Sequence, residues 1–281
     1  MRTIPVLLVA CLAFTSHGQN APASPDAPPT SSVASSTPSA DAGSAKARAA
    51  LEAMVKALGG DRWLNLQNSY MTGRIAAFYQ GKPTGATIQF WDWKTPDHER
   101  IDLDEKGHDR HRWVQLFDLK QCREVTYKGI EPMKALSGDD PCQSAIRNRE
   151  HSIEAAVKVW MKNPNTVLMW EGQTLAERQL TDQVTLLNDQ NDSITIQMDA
   201  ETHLPRRRTW YWRDPQYKDR NEEVEEYTDY HTVDGLPMAF SISRQHNGEM
   251  TQERYIFKGG YNTQLPPDLF DAQAILAKIP K

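Results

Sequence analysis

Apolar and polar positions alternate along most of this chain, most cleanly near its end. Met238, Phe240 and Ile242 alternate with Ala239, Ser241 and Ser243, which gives a strand one apolar and one polar face. Asn247-Gly248 follows, and both positions of a two-residue hairpin turn take positive φ, which Asn-Gly accommodates best. Residues 233–257 therefore predict a β-hairpin. The same period of two predicts strands at 69–80 and 86–94, flanking a Gly81-Lys82-Pro83 turn, and at 98–104, 111–118 and 123–128. In the 98–104 strand Ile101 and Leu103 share one face, and Arg100, Asp102 and Asp104 share the other. Further strands are expected at 167–170, 174–178, 183–188, 193–199, 205–212 and 223–231.

Helical spacing replaces this alternation in three places. Leu51, Met54, Val55 and Leu58 form one stripe in a helix over 46–58, which Gly59-Gly60 ends. Ile146, Ile153, Val157 and Trp160 predict a second helix over 143–162, stopped by Asn163-Pro164. A short helix near 269–278 closes the chain. Eleven to thirteen short antiparallel strands with two or three helices make a mainly β (α+β) fold. A large sheet with one apolar face must curl up or be covered, so we expect a curved antiparallel sheet: an incomplete β-barrel lidded by helices. No internal repeat is evident.

Composition divides the 281 residues into three parts. Arg2 precedes an apolar run over residues 4–14, the pattern of a secretory signal. Two ends for it compete: a cut near Ser16-His17-Gly18, giving a signal over 1–18, or the lipobox-like Leu8-Val9-Ala10-Cys11, giving a signal to residue 10 and lipidation at Cys11. The run is too short to span a bilayer. Residues 19–45 are mostly Ala, Ser, Pro, Thr and Gly, and predict a disordered linker. Residues 46–281 then form one domain.

The net charge of −5 is spread without long runs, which argues against a nucleic-acid partner. Arg206-Arg207-Arg208, the one basic cluster, reads as a solvated strand entry. Glu222, Glu223, Glu225 and Glu226 read as an acidic edge that blocks sheet-to-sheet pairing. Besides Cys11 there are two cysteines, Cys122 and Cys142; in an exported chain they predict a disulfide that stabilises by about 3 kcal/mol.

Three stretches of the last third carry a family resemblance. Residues 199–206, Asp-Ala-Glu-Thr-His-Leu-Pro-Arg, resemble the D-x-x-T-x-L-P-x-R turn of LolA/LolB-like proteins, the outer-membrane lipoprotein-sorting type. Tyr227-Thr228-Asp229-Tyr230 with Val233-Asp234-Gly235 and Pro237 resembles their next strand and turn, and Tyr261-Asn262, Leu265-Pro266 and Leu269-Phe270 resemble their closing signature. The resemblance is firmest over residues 195–272 and marks strand and turn geometry. It implies a curved half-barrel with an apolar concave face under helices, binding acyl chains or lipidated and hydrophobic peptides, with no catalytic residues to carry over.

Candidate chemistry follows from side-chain parity. Trp91 and Trp93, Trp113 and Phe117, and Trp210 and Trp212 each share a strand face. With Met238, Phe240 and Ile242 they are candidate cavity-lining residues, or members of a solid core. His98, His108 and His111 lie among Asp102, Asp104 and Asp109, which invites a metal-dependent hydrolase as an alternative, although His108 and His111 face opposite ways on a strand. No Gly-x-Ser-x-Gly, phosphate-binding or dinucleotide-binding motif is present, so no cofactor is expected. The leading expectation is an exported, non-enzymatic, monomeric periplasmic protein binding a hydrophobic small molecule or acyl chain. An envelope-stress or regulatory module that docks on a membrane protein or lipoprotein partner is the alternative within the same fold.

Overall fold

The computed structural model describes residues 40–105, 112–118, 121–134, 140–214 and 216–279. The expected signal segment, Cys11, residues 19–39 of the expected linker, His108 and His111 lie outside the described residues.

Among the described residues thirteen strands form one antiparallel sheet that does not close, with a few helices against it. The first half is a meander of β1 (Ser69–Tyr79), β2 (Lys82–Lys94), β3 (His98–Glu105), β4 (Arg112–Asp118), β5 (Cys122–Thr126) and β6 (Gly129–Pro132). The second half is a meander of β7 (Val167–Ala176), β8 (Gln179–Leu187), β9 (Ser193–Asp199), β10 (Pro205–Arg213), β11 (Arg220–Val233), β12 (Leu236–His246) and β13 (Glu249–Tyr261). Pairing of β1 with β13 joins the halves, so β6 and β7, consecutive in the chain, lie at opposite edges. The two backbones approach closely at Gly73, where an added Cβ would sit 1.9 Å from the Tyr255 carbonyl oxygen.

The route from β6 to β7 is helical: α3 (Pro141–Glu150), α4 (Ile153–Lys158) and a 3-10 turn at Trp160–Lys162. The continuous helix expected over 143–162 is thus broken. The Ser152 side chain accepts a bond from the Ala155 amide and starts a new helix, and such local capping competes with continuation. The first helix, α1 (Ala40–Leu58), begins six residues earlier than expected, within the tail of the Ala-rich linker. A one-turn helix, α2 (Asp61–Leu64), follows Gly59-Gly60, and α5 (Ala272–Leu276) ends the chain. The two strands expected at 167–170 and 174–178 are one, β7, with a bulge beside Gly172. The Asn247-Gly248 turn stands as read, with φ of 51° and 79°.

The motifs explain their own local geometry. Asp199 Oδ1 accepts bonds from the amides of Glu201 and Thr202 and from the Thr202 hydroxyl, closing the β9–β10 turn. Asp234-Gly235 turns β11 into β12 with positive φ at both positions. Asp234 Oδ2 accepts the Tyr261 amide.

Three clusters hold the layers together. Leu51, Met54 and Leu58 of α1, with Val157 and Trp160 from the crossover, bury against Leu168, Val184, Leu186, Ile194 and Ile196 of β7–β9. Each such aliphatic side chain contributes about 1.5–3 kcal/mol on burial. A second cluster unites Ile75, Phe90, Ile101, Leu103 and Ile256. A third packs Ala272 and Ile275 of α5 against Val114, Leu116 and Val125, on the other face of β4 from Phe117. Cys122 of β5 and Cys142 of α3 form a disulfide that fastens the start of the crossover to the sheet.

Candidate ligand cavity beneath the helical crossover

Helix α1 fills the concave face over β7–β9, but the face beyond it is not filled. There α3 and the start of α4 arch over the sheet, leaving a cavity of about 450 Å3. Its apolar walls are Met71, Ile101 and Phe117 from the first meander, Met238 and Ile242 from β12, and Leu58 and Trp63 near the end of α1. Ala145 and Ile153 face them from the crossover. The motif residues Pro205, Tyr230, Pro237 and Tyr261 also contribute. The Tyr230 hydroxyl donates to the Pro205 carbonyl at 2.7 Å and the Tyr261 hydroxyl to that of Pro237 at 3.0 Å. Burial pushes both phenols upward from their ordinary value.

Charge is built into the same cavity. Glu225 of β11 receives the guanidinium groups of Arg208 and Arg244 from the neighbouring strands, and the Tyr227 hydroxyl at 2.7 Å. Burial by itself would raise the Glu225 carboxyl, but the two arginines outweigh it and hold the group well below the usual carboxylate range. Arg208, 2% exposed, also donates to the carbonyls of Asn148 and His151 and to Asn148 Oδ1. It thereby ties the sheet floor to the C-terminus of α3, where carbonyls lack helical partners. Farther along, Arg254 Nη1 meets Asp92 Oδ2 at 3.2 Å across the Phe90 ring. Burial, with Glu99 adding to it, drives Asp92 up to about 7 despite the opposing pull of Arg254 and Lys94. Its other oxygen is buried without a partner.

The same arrangement of elements occurs elsewhere. A DUF1329 family protein from Desulfovibrio piger is 12% identical with a TM-score of 0.53, the match covering 83% of this chain and 98% of that one. A domain assigned to outer membrane lipoprotein sorting, from Vibrio parahaemolyticus, is 11% identical with a TM-score of 0.53, covering 83% and 100%. The fold is LolA-like. No family model matches the sequence, and no match is found among curated proteins.

In this LolA-like half-barrel the sequence-derived candidates separate into groups. Phe117, Met238 and Ile242 line the cavity. Trp91 and Trp93 do not: they pair with Asp102 and Arg100 on the opposite face, under Arg112 and Arg100 respectively. The inward residues of that strand are Phe90 and Asp92, partners of Leu103 and Ile101. Trp113 and Phe240 pack against the Phe90 cluster outside the cavity lining, Phe240 also lying against His231 with ring centroids 4.3 Å apart. Trp210 and Trp212 are covered by the crossover: Trp210 stacks on His151, and Arg147 lies 3.9 Å over Trp212. His98 stacks on Phe270. Among the described residues no group of three His, Cys, Asp or Glu side chains is placed to hold a metal.

Two readings of charge are corrected. Arg208 is not a solvated strand entry; it shares the inward parity of Trp210, and Ile196 opposite it belongs to the core. Glu225 is not an edge charge, because β11 is flanked on both sides by β10 and β12. The polar floor of Asp92, Arg208, Glu225, Arg244 and Arg254 was missed. The one available signal was parity: Ile101 and Leu103 face inward, and an antiparallel partner in register sends Asp92 inward with them.

Proposed function

We propose that this protein is an exported, non-enzymatic envelope protein that binds an acyl chain or similar hydrophobic group in its concave cavity. The observation that carries the reading is the cavity of about 450 Å3 between sheet and crossover, walled by Met71, Ile101, Phe117, Met238 and Ile242. A concave cavity of this size, with apolar walls and convergent polar groups, has the form of a small-molecule site, although this one carries more charge than most. Arg208 and Arg244 are held by Glu225 and Arg254 by Asp92, which fixes these groups as orienting charges for a ligand. The lipoprotein-sorting assignment of the Vibrio structure fits this reading through the fold alone.

Native mass spectrometry of protein purified from its own envelope without detergent tests it. We expect an adduct with the mass of an acyl-bearing species. Ala145→Trp, which fills the cavity from the crossover side, should remove the adduct while leaving the melting temperature close to wild type. A bare wild-type protein that also takes up no added long-chain alcohol would overturn the proposal.

A further inference from the structure

A second cavity of about 290 Å3 adjoins the first. Lys94, Ser152 and Glu154 line both, so these three side chains are the partition between them. Lys94 Nζ lies 3.3 Å from Glu154 Oε2, and their side chains are 32% and 41% exposed. The pair is mutual: the Glu154 carboxylate raises the Lys94 ammonium and Lys94 lowers the Glu154 carboxyl, so a second anion beside Lys94 would exchange for a carboxylate already there.

The two chambers differ in charge. The inner one sets three arginines, Arg208, Arg244 and Arg254, against three carboxyl groups, Glu225, Asp92 and Glu99. The outer one brings Lys94, Arg149 and Lys158 together with only Glu154. Lys94 already faces that carboxylate. Arg149 donates to the carbonyls of Thr95 and Pro96, which leaves its charge uncompensated. Lys158 lies 5.8 Å over the Trp63 ring and shares the field of Glu154 with Lys94. Trp63 in turn walls the inner cavity. A chamber with apolar walls and balanced formal charge therefore adjoins a chamber with two surplus positive charges.

We propose that the ligand is an amphiphile with an anionic head, its apolar chain in the inner cavity and its carboxylate or phosphate in the outer one against Lys94, Arg149 and Lys158. This inference rests on the binding function proposed above. The head takes Glu154's place beside Lys94 and adds negative charge beside Arg149 and Lys158, where three cations now share one carboxylate. Compact ammonium and planar guanidinium groups both serve such oxyanions.

The test is calorimetric titration of the purified protein with four probes sharing one alkyl chain, each below its micelle concentration: dodecanoate, dodecyl phosphate, dodecanol and dodecylammonium. Dodecanoate, dodecyl phosphate or both should bind about tenfold more tightly than dodecanol, the size expected of a charge-assisted contact. Dodecylammonium should bind most weakly. Lys158→Gln should reduce the preference for the anions over the alcohol, and Lys158→Glu should abolish it. Because the readout is a ratio within each variant, a modest loss of stability cancels. A preference for one anion only would name the head, carboxylate or lipid phosphate, and supports the proposal either way. Equal binding of alcohol and anions, tightest binding of dodecylammonium, or a ratio unchanged in both variants overturns the head site and leaves the cavity standing. Failure of all four probes to bind overturns both.

Discussion

Asp92 is the clearest case of one side chain set against its surroundings. It is 5% exposed, has one oxygen without a partner, and has its carboxyl raised to about 7, first by burial and then by Glu99. An acid raised in the folded state holds a proton that the unfolded chain has already released. Folding therefore loses stability as pH rises from the ordinary Asp range through about 7, and the loss is complete above that. Asp92→Asn keeps an oxygen for Arg254 and removes the charge, so it should raise the melting temperature at pH 8 and change it little at pH 4. A variant that melts lower than wild type at pH 8 would contradict the assignment. Glu225 behaves in the opposite sense. Its carboxyl is held below the ordinary range by Arg208 and Arg244, so its contribution is present at neutral pH and is lost only in strong acid.

The decisive element is the crossover from β6 to β7. It joins the two sheet edges, and Arg208, the burial of Trp160 against β7–β9 and the disulfide hold it down. Replacing both Cys122 and Cys142 with Ala should cost about 3 kcal/mol of unfolding free energy, since the closed loop is some twenty residues long. Urea denaturation of the oxidised protein against the double variant reads this directly, and coincident midpoints would contradict it. The strands were legible because one side of each faces core: β9 stands at the expected bounds, and Ile101 and Leu103 point as read. The break at Ser152 was not legible, since the apolar stripe of Ile146, Ile153, Val157 and Trp160 runs through it and only the cap interrupts it. Trp91 and Trp93 misled for a related reason. Aromatic rings favour burial wherever they find cover, and here the stems of Arg100 and Arg112 supply it on the outer face. Arg208 was hidden because a three-residue charge run looks solvated, whereas on a strand its members point to alternate faces.

At the scale of the molecule, two meanders zipped together at β1 and β13 make a sheet too wide for its helices to fill. α1 plugs the part over β7–β9, and α5 covers β4 and β5 on the other face. The space they leave is a chamber whose charges are partnered across the sheet: Glu225 with Arg208 and Arg244 of the flanking strands, and Asp92 of β2 with Arg254 of β13 over the intervening β1. The turn motifs specify this architecture without specifying a ligand: Asp199, Asp234 and Asn247 each set a reversal of the chain, and the cavity chemistry lies on strands between them.

The nine methionines place a reporter in each region. Met71, Met133 and Met238 line the cavity, Met54 and Met198 are sealed in the α1 core, and Met169 lies outward on the edge strand β7. The measurement is the NMR spectrum of methyl-labelled methionines as dodecanol is added to saturation. If the concave face receives the chain, the resonances of Met71, Met133 and Met238 shift together while those of Met54, Met198 and Met169 stay in place. Saturation that leaves the first three unmoved, or moves only Met169, would contradict the account.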